Sequence, residues 1–214
     1  MSAFTGFLPE VLPSVPGCPI PMAINAIRNA AIQLCQESSW LTYTPAAIDI
    51  VAGTSEYALT PPTGSLVSDV LWAAHNDQNL TAKTEAQLDM LSGTWRTDSG
   101  DPVYYTFISR ATRIIRLVPT PTTALTGGLK LRYAIKPTPT ATTVDDTVFE
   151  EWHEYIAAGA LMRLLEIKDK PWSSQAEADR QLGIFAAGVM LAKSRAAASN
   201  LKRIVREVRY GGIR

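Results

Sequence analysis

The 214-residue sequence is poor in the residues from which catalytic and metal centres are built. It contains only two histidines, His75 and His153, and two cysteines, Cys18 and Cys35. Neither histidine has a histidine or cysteine partner at the spacing of a metal site, so we expect no metal and no cofactor. His153 is expected on the polar face of a helix and His75 in a loop at the end of a strand.

Motifs of hydrolases and nucleotide-binding enzymes are absent as well. Residues 53–56 lack the second glycine and the helix of a nucleophile elbow, and no glycine-rich loop ends in a lysine. The acids Asp145, Asp146, Glu150 and Glu151 fall where a helix is expected to begin, and the helix dipole favours negative charge there. We therefore predict that the protein is not an enzyme. A hydrolase of cell-wall material, which needs a pair of carboxylates in a cleft, is the enzymatic alternative.

Long apolar runs are missing too. No run approaches the roughly 20 residues that span a bilayer, and residues 1–10 have no signal-peptide pattern. We expect neither a membrane protein nor one secreted by a signal peptide. Cys18 and Cys35 could form a disulfide, but no framework of other cysteines supports it, so reduced thiols are favoured.

The formal charge is zero overall but is divided unevenly along the chain. Residues 193–214 contain seven basic residues and one acid, a net charge of about +6 that the remainder balances with about −6. Such an end is typical of a segment that binds a partner. Its basic residues recur at steps of three and four with apolar residues between them, which predicts a helix with a basic face beside an apolar one. A frayed, solvated end is the alternative.

The two ends of the chain have different backbone patterns. Five prolines in residues 7–21 remove backbone donors and fix φ, which predicts an extended N-terminal arm over residues 1–21. Apolar residues at helical spacing predict three helices, at about 22–37, 146–167 and 174–200.

Residues 45–137 carry strand patterns. The turn at Gly53 predicts a hairpin, and Thr84 is expected to cap a short helix whose inner face holds Leu88 and Leu91. The last strand has an apolar and a basic face, which are Leu129, Leu131, Tyr133 and Ile135 against Lys130, Arg132 and Lys136. One face should be buried and the other exposed to water.

These patterns predict an α+β fold with three helices, a β-rich part at about 45–137 and extended N- and C-terminal arms. A single domain is expected over residues 22–198, followed by a basic C-terminal tail over residues 199–214.

The five tryptophans are scattered along the chain, so a stacking platform for single-stranded nucleic acid is not expected. We expect most of them in the core, and Trp152 there in particular because it shares a helical stripe with Phe149 and Ile156. Trp95 and Trp172 stand beside turn residues and are the two expected at the rim of an interface. The alternative is that they seal loops onto the core.

Several short motifs occur in a characteristic order from about Ile20 to Ala198. They are Trp40 after the first helix, residues 48–59, Asp101-Pro102 with Tyr104, residues 114–119, residues 133–137, Gly159-Ala160-Leu161 with Arg163-Leu164-Leu165, and Lys170-Pro171-Trp172 before an alanine-rich helix that contains Phe185. In this order and spacing the chain resembles the head-to-tail adaptor proteins of tailed bacteriophages.

The resemblance implies a helical bundle, formed by the helices near 22–37, 146–167 and 174–200, with a β-rich insertion between them. It also implies a ring, usually of twelve subunits, that lies beneath the dodecameric portal and joins it to the tail tube or nozzle. The expected partners are thus the portal protein, the tail nozzle or tube protein and further copies of the chain. The expected location is the neck of the virion, after synthesis in the cytoplasm of the bacterial host. The isolated protein is expected to be largely monomeric, because its arms gain order only on assembly.

In such adaptors the C-terminal segment reaches the portal, and position and charge suggest that role for the basic tail here. The portal-binding residues would be Lys202, Arg203, Arg206, Arg209, Tyr210, Ile213 and Arg214. The basic face of Lys130, Arg132 and Lys136 could in addition contact DNA that passes through the ring, although a wet strand face explains it equally well.

Two further functions remain open. A nucleic-acid-binding protein could grip phosphates with the basic tail, although the body is acidic and no base-reading motif is present. A tail-completion or neck protein lower in the tail would have a similar composition.

Overall fold

Helices form both ends of the described chain and strands form its middle. The computed structural model describes residues 1–109 and 113–200. The α-helices are α1 (Leu8–Val11), α2 (Ile20–Ser38), α3 (Glu85–Leu91), α4 (Asp146–Leu165) and α5 (Gln175–Asn200), and 3-10 turns lie at Phe4–Phe7 and Leu12–Ser14. The bounds of the three long helices lie within two residues of those that periodicity predicts.

The strands are β1 (Ser2–Ala3), β2 (Thr42–Tyr43), β3 (Ile48–Ile50), β4 (Glu56–Ala58), β5 (Ser65–His75), β6 (Gln78–Asn79), β7 (Thr81–Ala82), β8 (Tyr104–Ser109), β9 (Ile114–Val118), β10 (Leu125–Pro137) and β11 (Thr143–Val144). They form three sheets. One has five strands in the order β2-β10-β5-β6, with β3 also paired to β10, a second has four in the order β4-β9-β8-β7, and the third is the pair β1–β11. All pairings are antiparallel except β7 with β8.

The predicted helical bundle with a β-rich insertion is wrong, because the fold is mixed α+β. The five-stranded and four-stranded sheets bury a core of their own, to which β3, β4, β5, β8, β9 and β10 all contribute. The face of β10 that points away from this core lies against α2, so β10 connects the β layer to the helices. Periodicity identifies single strands but not their partners, and it is the pairing that makes the strands an independent layer.

The last long strand has the buried face that alternation predicts. Leu129, Leu131, Tyr133 and Ile135 are each no more than 6% exposed. The Tyr133 hydroxyl donates to the carbonyl oxygen of Thr60 at 2.8 Å, and burial raises the pKa of this phenol to about 12. The prediction for this face is confirmed.

The predicted extended N-terminal arm is also wrong. Residues 1–21 fold into β1, two 3-10 turns, α1 and the start of α2, and Phe4, Phe7, Val11 and Val15 are at most 1% exposed. The Phe7 and Phe149 rings pack edge to face at 4.9 Å. The start of the chain therefore belongs to the helical core.

The three long helices pack on one another, and α4 and α5 approach closely. A Cβ added to Gly159 of α4 would come within 2.6 Å of the Phe185 ring, and one added to Gly188 of α5 would overlap the Tyr155 ring. Trp152 of α4 is fully buried, as predicted, and packs edge to face on Trp40 at 5.4 Å.

The turn at Gly53 does not make a hairpin, contrary to the prediction. It adopts a φ of +77° and leads from β3, which pairs with β10, to β4, which pairs with β9. The Tyr57 hydroxyl fixes the turn by donating to the carbonyl oxygen of Thr54 at 2.9 Å. Gly53 therefore carries the chain from one sheet to another.

The short helix α3 begins as predicted. The Thr84 side chain accepts from the backbone N–H of Gln87, and the Gln87 side chain accepts from the backbone of Thr84, which is a capping box. Leu88 is buried, but Leu91 is 57% exposed, so the prediction that Leu91 lies on the inner face is wrong.

Candidate interaction surfaces

The residues predicted to bind the portal, Lys202, Arg203, Arg206, Arg209, Tyr210, Ile213 and Arg214, lie outside the described residues. The helix that leads to them, α5, ends at Asn200 in the described chain. Two earlier basic residues of the charged end are paired within the chain. Lys193 Nζ lies 3.8 Å from Oε2 of Glu37, and Arg195 Nη1 donates to Oε2 of Glu151 at 3.1 Å. These ion pairs tie the last turns of α5 to α2 and α4.

The three cations of β10 share a face but do not form a continuous basic row. Lys130 Nζ lies 2.5 Å from Oδ1 of Asp77, and Lys136 Nζ donates to Oε1 of Gln36 at 2.7 Å. Between them, Ala134 is fully buried and Arg132 has a buried Nε with no hydrogen-bond partner among the described residues. Contact with DNA at this face stays a prediction.

The structure places Trp95 inside the chain and not at an exposed rim. It is 3% exposed and packs with Leu88 and Val118. Its Nε1–H donates to Oδ1 of Asp89 at 2.8 Å, and the Arg96 guanidinium lies 4.2 Å above its ring. Hydrogen bonds from Arg96 and Trp95 hold the pKa of Asp89 below its usual value.

Trp172 is likewise enclosed, at 9% exposure, within the helical core. Its Nε1–H donates to the carbonyl oxygen of Leu164 at 3.2 Å. Both tryptophans thus pack loops onto the core, which was the alternative to a position at the rim of an interface. The turn residues beside Trp95 and Trp172 suggest exposure. The sequence does not show that these turns fold back over the core.

The described residues bring no reactive group into an activated setting. Cys18 and Cys35 are free and buried, and burial raises the pKa of the Cys35 thiol to about 12, which disfavours the nucleophilic thiolate. His153 Nε2 lies 2.7 Å from Oε1 of Glu10, on the polar side of α4 as predicted. No group of three or more histidine, cysteine or acidic residues in the described ranges could hold a metal ion.

A cleft of about 650 Å³ lies between the edge strand β2 and the segment that contains β11. Its walls are mainly threonine, proline and small apolar residues, and its one charged side chain is Asp145. The carboxylate of Asp145 is engaged as the N-cap of α4, where it accepts from the backbone N–H of Thr147 at 2.9 Å. This cleft therefore lacks the pair of carboxylates that a glycoside hydrolase needs.

The described part of the chain has a surface that sequence reasoning missed, on the outer side of α5. Leu182, Met190 and Leu191 are 46%, 71% and 38% exposed. The signal was present in the sequence, because residues 181–192 contain no charged residue. No helix in the described chain is long and apolar enough to cross a bilayer.

A family model described as SU10 adaptor protein matches residues 12–206. The chain belongs to the SU10 adaptor family. No curated protein matches the sequence. The SU10 adaptor match includes α2 to α5 and extends to Arg206, so it covers part of the basic tail as well as both layers of the fold.

Membership in the SU10 adaptor family makes the chain a phage adaptor, and so a structural component of the virion. The resemblance to phage adaptors is confirmed to that extent.

Proposed function

We propose that this SU10 adaptor forms a ring of twelve subunits in the neck of the virion, between the portal and the tail tube or nozzle. The family match over residues 12–206 is the observation that carries the proposal. The role is structural and involves no turnover of a substrate. The ring is assembled on the portal in the infected cell, from subunits that are largely monomeric beforehand.

The proposed contact with the portal is the basic tail. Lys193 and Arg195, which precede the tail in sequence, pair with acids of α2 and α4 and so help to hold the last described turns of α5 on the helical core. Arginines of the tail would pair with portal carboxylates, since guanidinium and carboxylate groups form strong, often bidentate hydrogen bonds. Apolar residues between them would anchor the segment in a groove.

Deletion of residues 199–214 tests this proposal. The thermal midpoint of the truncated protein should stay nearly unchanged, because Ala196, a buried residue near the end of described α5, still precedes the deletion. Attachment of tails to DNA-filled heads should be lost. A matched control keeps the full length and exchanges Lys202 for arginine, which preserves the charge. If the truncated protein still joins tails to heads, the tail is not the portal contact.

The position and number of subunits need a separate measurement. A density map of the virion neck should show a twelvefold ring of this chain directly beneath the portal. A ring found lower in the tail would instead support a tail-completion protein. Strong, salt-sensitive binding of duplex DNA by the isolated monomer would support the nucleic-acid-binding alternative, because phosphate contacts weaken steeply as salt is added.

A further inference from the structure

The two large apolar cores of the protein are separate and share little packing. One lies among the helices and the other between the five-stranded and four-stranded sheets. Leu41 is the one side chain of the described chain that packs against both. Bodies of a chain that meet without a large apolar interface move relative to one another by default. The joint between the helical layer and the β layer is therefore the place in this fold where motion is expected.

The layers are also joined by few polar contacts. Strand β10 lies against α2, but a single side-chain hydrogen bond between described residues crosses the joint, from Lys136 Nζ to Oε1 of Gln36 at 2.7 Å. None of the ion pairs between described residues crosses it. By contrast, α2, α4 and α5 are linked to one another by the pairs Arg163–Gln33, Lys193–Glu37 and Arg195–Glu151. Polar side chains thus tie the helices to one another more firmly than they tie the β layer to the helices.

The described chain passes from the helices to the β layer directly after α2. Ser39 still belongs to the helix, because its N–H donates to the carbonyl oxygen of Cys35 at 3.1 Å, with a φ of +51°. Leu41 already belongs to the sheet, because its carbonyl oxygen accepts from the N–H of Ile135 at 2.8 Å. Only Trp40 separates these two anchors.

The chain returns to the helices directly after β10, over an equally short segment. The N–H of Thr138 donates to the carbonyl oxygen of Gly64 in the β layer at 2.9 Å. The carbonyl oxygen of Ala141 accepts from Nε of Arg28, on α2, at 2.7 Å. Residues 139–140 separate these anchors. Because β2 pairs with β10, the two crossings run side by side.

Open space flanks the joint on both faces of β10. The cleft of about 650 Å³ described above is lined by Ile135 and Pro137, and a smaller cleft of about 140 Å³ is lined by Lys136. Successive residues of a strand point to opposite faces, so the two clefts lie on opposite sides of β10. The smaller cleft also contains the buried Ser68 hydroxyl, which has no hydrogen-bond partner among the described residues. Neither side of the joint is filled by packed side chains.

We propose that this joint is a hinge, about which the β layer turns as a body on the helical layer. The hinge segments are the backbone around Trp40 and residues 139–140, since hinges are a few residues between fixed elements that absorb changes in φ and ψ. Turning in one direction narrows the larger cleft and widens the smaller one, and turning back reverses this. The hinge is a property of the single subunit, so this inference goes beyond the proposed function and does not depend on it.

Distances between nitroxide spin labels in the isolated protein test the hinge. Met90→Cys on α3, which packs on the four-stranded sheet, and Met190→Cys on α5 place one label on each layer at positions 87% and 71% exposed. The two native cysteines are at most 8% exposed and are shielded from labelling. Matched controls hold both labels in one layer, as Met90 with Val51→Cys and Met190 with Ile20→Cys. The between-layer distance distribution should be at least about twice as wide as either control.

A second pair measures the larger cleft directly. Thr63→Cys lies on its β side and Glu150→Cys on α4, and both positions are exposed. The distribution for this pair should also be wider than the controls. Lys136→Ala, which removes the side-chain hydrogen bond across the joint, should widen both between-layer distributions further. Lys130→Ala is the matched control, because its ion pair with Asp77 lies within the β layer and its loss should leave the widths unchanged.

Equal widths would show that the layers form one rigid body. If neither between-layer pair exceeds the within-layer controls, in the unmodified protein and in Lys136→Ala, the inference fails. That result would leave the proposed function standing, since none of these measurements uses portal or an assembled ring. Failure to find a ring in the neck would likewise leave the hinge intact.

Discussion

Phe185 lies directly over Gly159, and a Cβ at residue 159 would come within 2.6 Å of its ring. The reciprocal arrangement places Tyr155 of α4 over Gly188 of α5. The two helices therefore approach through one glycine each, and an aromatic ring of the opposite helix fills the space that each glycine leaves.

Alanine at either position should destabilise the protein. Gly188→Ala and Gly159→Ala should each cost about 1–3 kcal/mol of unfolding free energy, because the added methyl group forces aromatic rings out of position. Gly183→Ala is the matched control, since it has open space and should raise stability by up to about 1 kcal/mol. Chemical denaturation of the three monomeric variants measures this. Equal effects at all three positions would contradict the close helix contact.

The start of the chain should contribute to stability as a core element. Phe7→Ala should cost about 3–5 kcal/mol, because Phe7 is fully buried and packs against Phe149. Thr5→Ala, at an exposed neighbouring position, should change stability by no more than about 0.5 kcal/mol. Urea denaturation distinguishes this from a loose arm, for which both substitutions would have small effects.

Trp152 should be among the costliest side chains to truncate. Trp152→Ala should cost about 3–5 kcal/mol, because the side chain is fully buried. Trp152→Phe should cost clearly less, since the indole Nε1 has no hydrogen-bond partner in the described chain and phenylalanine keeps much of the ring contact. Chemical denaturation again gives the values. A loss below about 1 kcal/mol for Trp152→Ala would mean that the residue is not part of a packed core.

The stability that the Asp89–Arg96 pair contributes should be lost in acid. Hydrogen bonds from Arg96 and then Trp95 lower the pKa of Asp89 in the folded state. The stability that this carboxylate contributes is therefore fully present above its unfolded pKa, near 3.8, and is lost as the pH falls through the lower folded pKa. Asp89→Asn should have a lower thermal midpoint than the unmodified protein at neutral pH, and the difference should shrink below about pH 4.

The control for this pH effect is the double variant Asp89→Asn with Arg96→Gln. Its pH dependence should resemble that of Asp89→Asn alone, apart from the contribution of the remaining contact between Arg96 Nη2 and Oε2 of Glu85 at 3.4 Å. A midpoint difference between the unmodified protein and Asp89→Asn that stays constant from neutral pH into acid would argue against the pair.

The long helices could be predicted because each repeats its apolar spacing over many turns. The prolines near the start led to the wrong prediction of an extended arm for a physical reason. Pro9, Pro13 and Pro21 are each the second residue of a helix or 3-10 turn. The first turn of a helix has no use for the N–H that proline lacks, so proline fits it as well as it fits an extended segment. The sequence pattern alone could not choose between the two.

The sheet arrangement and the burial of Trp95 and Trp172 could not be predicted, because both depend on contacts between residues that are distant in sequence. Gly53 marks a turn correctly, but nothing local shows that β3 and β4 on either side join different sheets. The turn residues beside Trp95 and Trp172 predict a position at a rim, whereas each tryptophan donates a hydrogen bond inside the chain. The uncharged run 181–192 is the local signal of the exposed apolar side chains of α5.

The two cores differ in when a growing polypeptide can complete them. The β core takes its residues from Ile50 to Ile135, a continuous stretch that can fold while the rest of the chain is still being made. The helical core joins Phe4 and its neighbours to residues 141–192, so these early side chains emerge well before the helices that cover them. At about 5–20 residues per second that interval is several seconds after the β core has emerged, and the apolar side chains of the first 35 residues stay exposed throughout. Chaperone binding to nascent chains should therefore concentrate on this first segment, and it should end once α5 has left the ribosome.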